Sequence, residues 1–341
     1  MPASNVNWPV PLTRLNPWFP GQMGVPGTDS ETGLRTGGIG AIFYVDPNAV
    51  GVSDGRDGTD PNEPLATMGA ALTHCRPYSG DVIAVAFNSL WTYANTGAAQ
   101  RATPILEAVT VTVPGVRIVG LAPSSTLGVP WNPTANNATC ITINAMDVLI
   151  EGFCFWNAGA FAGTTGILAQ WNSPTLFGEN LTVRNNYFYG LAYGVQLDYS
   201  WNNHLEGNYF QGLTTAAIHN PSVYGEPDYL TIRDNVFTSN AADINLPDCD
   251  EVLIDNNRFM AVTAAIVITA GDNNQIVGNV IEGDGTGVNN MINLTGGASN
   301  VVTGNTLTCS IAQYDTTCSD ATSGAWGFNH CTNGNTTAAP V

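Results

Sequence analysis

The sequence predicts an all-β fold: a parallel β-helix solenoid with an extended N-terminal arm and a short capping helix. Two observations carry this. Seven near-copies of one eight-residue unit run from Val148 to Leu307, among them Leu181-Thr-Val-Arg-Asn-Asn-Tyr-Phe188, Leu230-Thr-Ile-Arg-Asp-Asn-Val-Phe237 and Val252-Leu-Ile-Asp-Asn-Asn-Arg-Phe259. Six have Asn at the sixth position (Asn186, Asn208, Asn235, Asn257, Asn279, Asn305), at separations of 22, 27, 22, 22 and 26 residues. A period of about 22 marks a solenoid whose repeats each supply one turn. A turn that short leaves no room for a crossover helix between parallel strands.

Residues 1–40 are rich in Pro, Gly and aromatics and read as an extended anchoring arm, with Trp8, Trp18 and Phe19 as its anchoring side chains. Three large aromatics on an arm require burial, either on their own solenoid or on a partner. Residues 41–310 form the solenoid with its N-terminal cap. Ala41 to Val45 is a strand, Leu65 to Leu72 has helical apolar spacing, and Asp81 to Ala86 is a strand again. A helix here covers the open end that a solenoid must protect. Between them, Asp54, Asp57 and Asp60 suggest calcium at first sight, but position twelve of an EF-hand loop begun at Asp54 is Leu65. These carboxylates are read as a solvated turn, and no metal site or cofactor is expected.

Stacked turns place equivalent residues above one another at the strand spacing of about 4.8 Å. Phe155, Phe188, Phe210, Phe237 and Phe259 then form a column inside the bore. The Asn column satisfies polar groups at a corner, and the Gly or Asn of position five supplies the positive φ a tight corner needs. Position four reads Glu151, Arg184, Glu206, Arg233, Asp255, alternating in sign, as a ladder of cross-strand ion pairs would. Second strands follow most copies. Residues 311–341 are read as a C-terminal cap or interface segment.

Net charge is −18 and there is no lysine, which excludes a nucleic-acid partner or an anionic membrane surface on electrostatic grounds. No run of about 18 apolar residues is present to span a membrane. The N-terminus lacks the basic start and apolar core of a secretion signal. The seven cysteines lack metal-ligand spacing, and Cys318 with Cys331 is the one candidate disulfide.

Candidate site residues lie off the ladder. Gln196 and His219 fall on successive second strands, and the adjoining loops carry Trp171, Tyr199, Trp201 and Tyr224. Aromatic faces stack on sugar rings and amides bond hydroxyls, so these six are glycan-binding candidates. Hydrolysis needs two carboxylates across about 5 to 10 Å, for which Asp198, Glu226 and Asp228 are the candidates. A covering role over gaps between turns is the competing reading of the aromatics.

The Asn turns, the Phe column and the period, with the opening Phe43-Tyr-Val-Asp-Pro-Asn48 and Gly80-Asp-Val-Ile83, resemble the right-handed parallel β-helix proteins of the pectate-lyase-like class over roughly residues 41–310. The calcium-binding Asp cluster and catalytic Arg of pectate lyases have no match here. Within the class the chain looks most like a tailed-phage spike, fibre or capsid decoration protein. That resemblance implies a non-enzymatic homotrimer on the virion surface, joined by its arm to capsid or tail proteins and displaying a β-helix to cell-surface polysaccharide. The alternatives are a tailspike-type depolymerase, hydrolase or lyase, and an extracellular location.

Overall fold

The structure, a computed structural model, describes residues 40–87, 104–122, 128–173, 176–221, 225–283, 290–309, 318–320, 325–331, 334–335 and 340. The arm with Trp8, Trp18 and Phe19, and the loop residue Tyr224, lie outside them. Each turn bends three times because its polar and positive-φ positions recur at its corners. Position five has φ of +83° at Gly152, +55° at Asn185, +55° at Asp234 and +53° at Asn256. The chain is a parallel β-helix. Among the described residues its strands form three sheets of eleven, ten and ten strands, built from one strand per turn apart from the antiparallel additions Leu176–Phe177 and Gly334–Asn335.

The first sheet holds the start of each copy, such as Thr182–Arg184, His204–Glu206 and Thr231–Arg233, paired in register. The second holds its end, such as Tyr187–Tyr189 and Tyr209–Gln211. The third holds the second strands, Thr165–Ser173, Tyr193–Asp198, Ala216–His219 and Ile244–Asp248. Alternation puts every other side chain into the bore. Ile150, Val183, Leu205, Ile232 and Ile254 line it from the first sheet, Ile167, Val195, Ile218 and Ile244 from the third, all fully buried.

The second sheet contributes the aromatic column. Successive ring centroids from Phe155 to Phe259 lie 5.0, 4.8, 5.0 and 4.7 Å apart, with interplanar angles of 13°, 8°, 6° and 6°. The rings stack in parallel because the strand spacing of about 4.8 Å is also a stacking distance. Space for them is made opposite. A Cβ at Gly194 would sit 2.9 Å from the Phe210 ring, so that position needs glycine for close approach. Trp131 extends the column past Phe155, with its Nε1 donating to Glu107 O at 2.8 Å.

The Asn column is a continuous wire. From Asn208 onward each Oδ1 accepts the backbone N–H and the Nδ2 of the Asn one turn earlier, as Asn235 does from Asn208 at 2.9 and 3.1 Å, while Asn186 Oδ1 accepts Phe153 N. Each Nδ2 also donates to a backbone carbonyl, as Asn257 does to Ile232 O at 2.8 Å. The wire runs past the last copy, since Asn329 Oδ1 accepts from Asn305 N at 3.0 Å. The coil therefore continues into the segment taken as a terminal cap, with Ala325–Gly327 and His330–Cys331 adding strands to the first and second sheets.

The capping helix is shorter and later than its apolar spacing suggests, Met68–His74, because Thr67 caps it by accepting Ala70 N. Glu107 holds its first turn by accepting Met68 N and Gly69 N at 3.0 and 3.2 Å. The Asp54, Asp57 and Asp60 carboxylates are taken up locally. Asp54 accepts Ala66 N and Thr67 N, Asp57 accepts Thr59 N, and Asp60 accepts Asn62 N.

Two expectations are corrected. The charged ladder is in register, yet its ions pair at one rung: Arg184 Nη2 lies 2.9 Å from Glu151 Oε2, while Arg233 turns to its neighbour Asp234 at 3.4 Å. These side chains face water, where pairing gains about 0–1 kcal/mol and does not dictate conformation. The Cys318–Cys331 disulfide is absent. Cys318 registers with Ile292 in the third sheet, whereas the Cys331 Sγ lies 3.6 Å from Cys309 Sγ in the second.

Candidate functional site

Between the third sheet and the first sheet of the next turn, each repeat carries a connecting loop. The loops vary in length, which breaks the repeat there and leaves them able to carry specific chemistry. Three of the predicted aromatics meet here, Tyr199 and Trp201 on a loop and Trp171, expected in a loop, on the extended strand Thr165–Ser173. Trp171 and Tyr199 lie edge to face at 6.1 Å, and Tyr199 and Trp201 lie at 4.7 Å, all three half-buried. Tyr199 N donates to Gly225 O at 3.3 Å, and Asn202 N donates to Asp228 O at 3.1 Å, so the 199–202 loop rests directly on the loop that carries Glu226 and Asp228. A Cβ at Gly225 would collide with the Tyr199 ring, and that closeness joins the aromatic group to the acidic one.

The acidic ledge below has its own order. Asp228 Oδ1 accepts Asp250 N at 3.2 Å, Asp250 Oδ1 accepts Asp272 N at 2.6 Å, and Asp272 Oδ1 accepts Ala298 N at 2.6 Å. This column of carboxylates holds successive loops together. Beside it, Glu226 and Asp248 share a hydrogen bond. That bond, then burial and the nearby Asp248, Asp228 and Asp250 charges, raises Glu226 to about 7. Burial and the Asp250, Asp248 and Glu251 charges also raise Asp228, against the lowering effect of its bond from Asp250 N. The wall continues as a depression of about 370 Å³ lined by Tyr229, Glu251, Val252, Leu253, Asn273 and Gln275.

Glu226 predicts a measurable pH response. Its folded-state value lies above that of a free carboxyl. The protonated form therefore contributes stability that is complete below the unfolded value and is lost as pH rises through about 7. We expect Glu226→Gln to unfold at higher urea than the wild type at pH 8 and to show a flatter profile between pH 5 and 8. The difference between the two proteins isolates Glu226 from Asp243, whose burial raises it to about 8. Equal slopes would show that Glu226 carries no raised affinity for its proton.

The other candidates are placed as follows. Gln196 and His219 are register partners, followed by Asn245. Gln196 Oε1 accepts Thr165 Oγ1 at 2.8 Å, and His219 stacks on Tyr193 at 5.2 Å with Nδ1 at 3.1 Å from Asn245 O. Burial lowers the His219 pKa. These two hold the outer face of the third sheet in order. Asp198 is 3% exposed, whereas Glu226 and Asp228 are half-buried.

Two features escaped the sequence reading. Asp248 follows Glu226 by 22 residues, the repeat period itself. On the outer face of the second sheet, Tyr187, Tyr189 and Tyr209 form an aromatic group, with Tyr187 Oη donating to Gln211 Oε1 at 2.6 Å and Trp156 in register beside Tyr189. Their signal is the alternation around each inward Phe, which aims its neighbours outward.

Residues 164–322, less than half of the chain, match the family model of the periplasmic copper-binding protein NosD. Among solved structures the chain is similar to the GH136 lacto-N-biosidase of Eubacterium ramulus, at 10% identity and TM-score 0.49 over 86% of this chain and 68% of that one. It is also similar to ORF18 of Geobacillus virus E2, at 11% identity and TM-score 0.41 over 87% and 63%, and to the pectate lyase Pel9A, at 12% and 0.37 over 87% and 79%. None of these carries a site residue over to this chain. No curated protein matches the sequence. The described residues do not fit copper: no group of three or more His, Cys, Asp or Glu among them is arranged to hold a metal ion. The close thiols Cys309 and Cys331 are two donors, one of them beyond the matched segment.

Proposed function

We propose that this protein is a surface-displayed β-helix that binds a neutral or amino-sugar polysaccharide on the Trp171–Tyr199–Trp201 shelf, as a virion-surface or extracellular component. The single observation that supports this reading is a group of three half-buried aromatic rings, two of them on a loop whose backbone is hydrogen-bonded to the loop that carries Glu226 and Asp228. Rings offer apolar faces to sugar C–H groups, and Glu226, Asp228 and Asp248 offer acceptors to hydroxyls or ammonium groups. Uronate polymers are disfavoured, because the ledge and the net charge of −18 repel carboxylates.

Binding without cleavage is the favoured form. Asp248 acts on Glu226 as a close neighbouring carboxyl that raises its proton affinity, whereas hydrolysis uses carboxyls about 5 to 9.5 Å apart with a sugar or water between them. The acidic, lysine-free composition and the aromatic-rich N-terminal sequence agree with attachment to a particle, and a homotrimer is the assembly we propose for it. Light scattering and co-purification with particles test those two points.

The decisive assay is binding to a panel of neutral, amino-sugar and uronate polysaccharides. Trp201→Ala is expected to weaken the best ligand by about tenfold or more, the loss of roughly 1.4 kcal/mol, with unchanged melting. No ligand across the panel, or equal binding by the variant, would remove the shelf from consideration. New reducing ends that disappear in Glu226→Gln would replace binding with hydrolysis.

A further inference from the structure

All seven cysteines are buried thiols, and two of them meet. The Sγ atoms of Cys309 and Cys331 are 3.6 Å apart, with the residues 3% and 0% exposed. Their meeting follows from the coil. Leu307 registers with Cys331 across one turn of the second sheet. Cys309 lies two residues beyond Leu307, and both are buried, so two consecutive turns present sulfur to each other. Gly334–Asn335 then folds back antiparallel on His330–Cys331. This is the last coil of the described rod. A solenoid is held by contacts between neighbouring repeats, and such coils open locally.

We propose that Cys309 and Cys331 are a modification site: a cross-turn disulfide that fastens the last coil to the one before it when the chain meets an oxidising compartment. The oxidant is a small-molecule disulfide. One protein thiolate attacks a sulfur of that disulfide and releases one thiolate. The second protein thiolate then attacks the mixed disulfide and releases the other. The cysteine pair loses two electrons and two protons, and the oxidant is reduced to two thiols. Burial and the neighbouring Cys309 push the Cys331 thiol up to about 12, so thiolate is scarce in the closed coil at neutral pH. The exchange accordingly proceeds when the coil opens or while the chain folds. Cys75 caps the C-terminus of the helix Met68–His74, Cys140, Cys154 and Cys249 lie on other turns of the coil, and Cys318 registers in another sheet.

The test uses the full chain, incubated with oxidised glutathione both as folded protein and during refolding from urea, then digested without reduction. Mass spectrometry is expected to find a Cys309–Cys331 linked peptide lighter by two hydrogens, formed faster during refolding, with the other five thiols alkylatable after unfolding. Amide exchange of residues 325–331 should slow by about tenfold or more in the oxidised protein and recover with reductant. Cys309→Ser should abolish both effects, and Cys318→Ser neither. Should Cys309→Ser fail to fold, the wild-type peptide map alone decides. Thiols at 309 and 331 that remain alkylatable after oxidative refolding to native protein, or Cys331 linked to Cys318, would overturn the proposal.

Discussion

Asn257→Ala is expected to lower the unfolding free energy by about 3 kcal/mol, as measured by urea denaturation. The residue is 1% exposed. Its Oδ1 accepts Asn235 N and Nδ2, both at 3.0 Å, and its Nδ2 donates to Ile232 O at 2.8 Å and Asn279 Oδ1 at 3.0 Å. Truncation leaves a buried amide and a buried carbonyl without partners, each costing about 1–3 kcal/mol. Asn257→Asp should be at least as harmful. A carboxylate keeps the acceptor role but turns both donated bonds into oxygen–oxygen repulsion. One residue earlier, Asn256 is exposed with φ of +53°. Asn256→Gly keeps that conformation open and is expected to change stability by no more than about 1 kcal/mol. Equal effects at the two positions would mean that the buried wire is not what holds the corners.

Phe210→Ala should cost about 3–5 kcal/mol. Its ring is fully buried between Phe188 at 4.8 Å and Phe237 at 5.0 Å and closes against Gly194 across the bore. Neither neighbour can move into the gap, because each is fixed to its own turn by strand pairing in register. The cavity therefore stays open. Phe210→Leu keeps most of the volume and should cost about half as much or less. Denaturation curves of the two variants separate lost volume from lost ring stacking.

These two variants bear on the part of the molecule that was most legible from sequence. A solenoid repeats its environment, so a residue that works at one corner recurs at the next, and Asn186 to Asn305 could be read as one column. The eighth copy, ending in Asn329 and Cys331, was harder to see because it comes after a 24-residue interval and replaces Phe or Leu by Cys. The charged positions Arg184, Glu206 and Arg233 were placed correctly in register, and Arg184 meets its expected partner Glu151, but Arg233 does not pair along the ladder. Arg233 is 48% exposed at its side chain, and water competes there with any single ion pair.

The shelf was legible in part for the opposite reason. Tyr199 and Trp201 in a loop, and Trp171 at the end of the strand Thr165–Ser173, stand out where the pattern does not repeat, so composition alone singled them out. Which groups they touch depends on how one loop rests on the next. The closeness of Glu226 and Asp248 was hidden because Asp248 ends the strand Ile244–Asp248 on the following turn, and the 22-residue period alone links it to Glu226. Tyr187, Tyr189 and Tyr209 were overshadowed by the inward Phe beside them.

The claim that recognition belongs to the shelf and stability to the ladder is tested most directly by amide hydrogen exchange with and without the best polysaccharide ligand. Added protection is predicted at residues 199–203 and 225–229, with none at Thr182–Arg184, His204–Glu206 or Thr231–Arg233. Protection centred on those first-sheet strands, with the shelf unchanged, would contradict it.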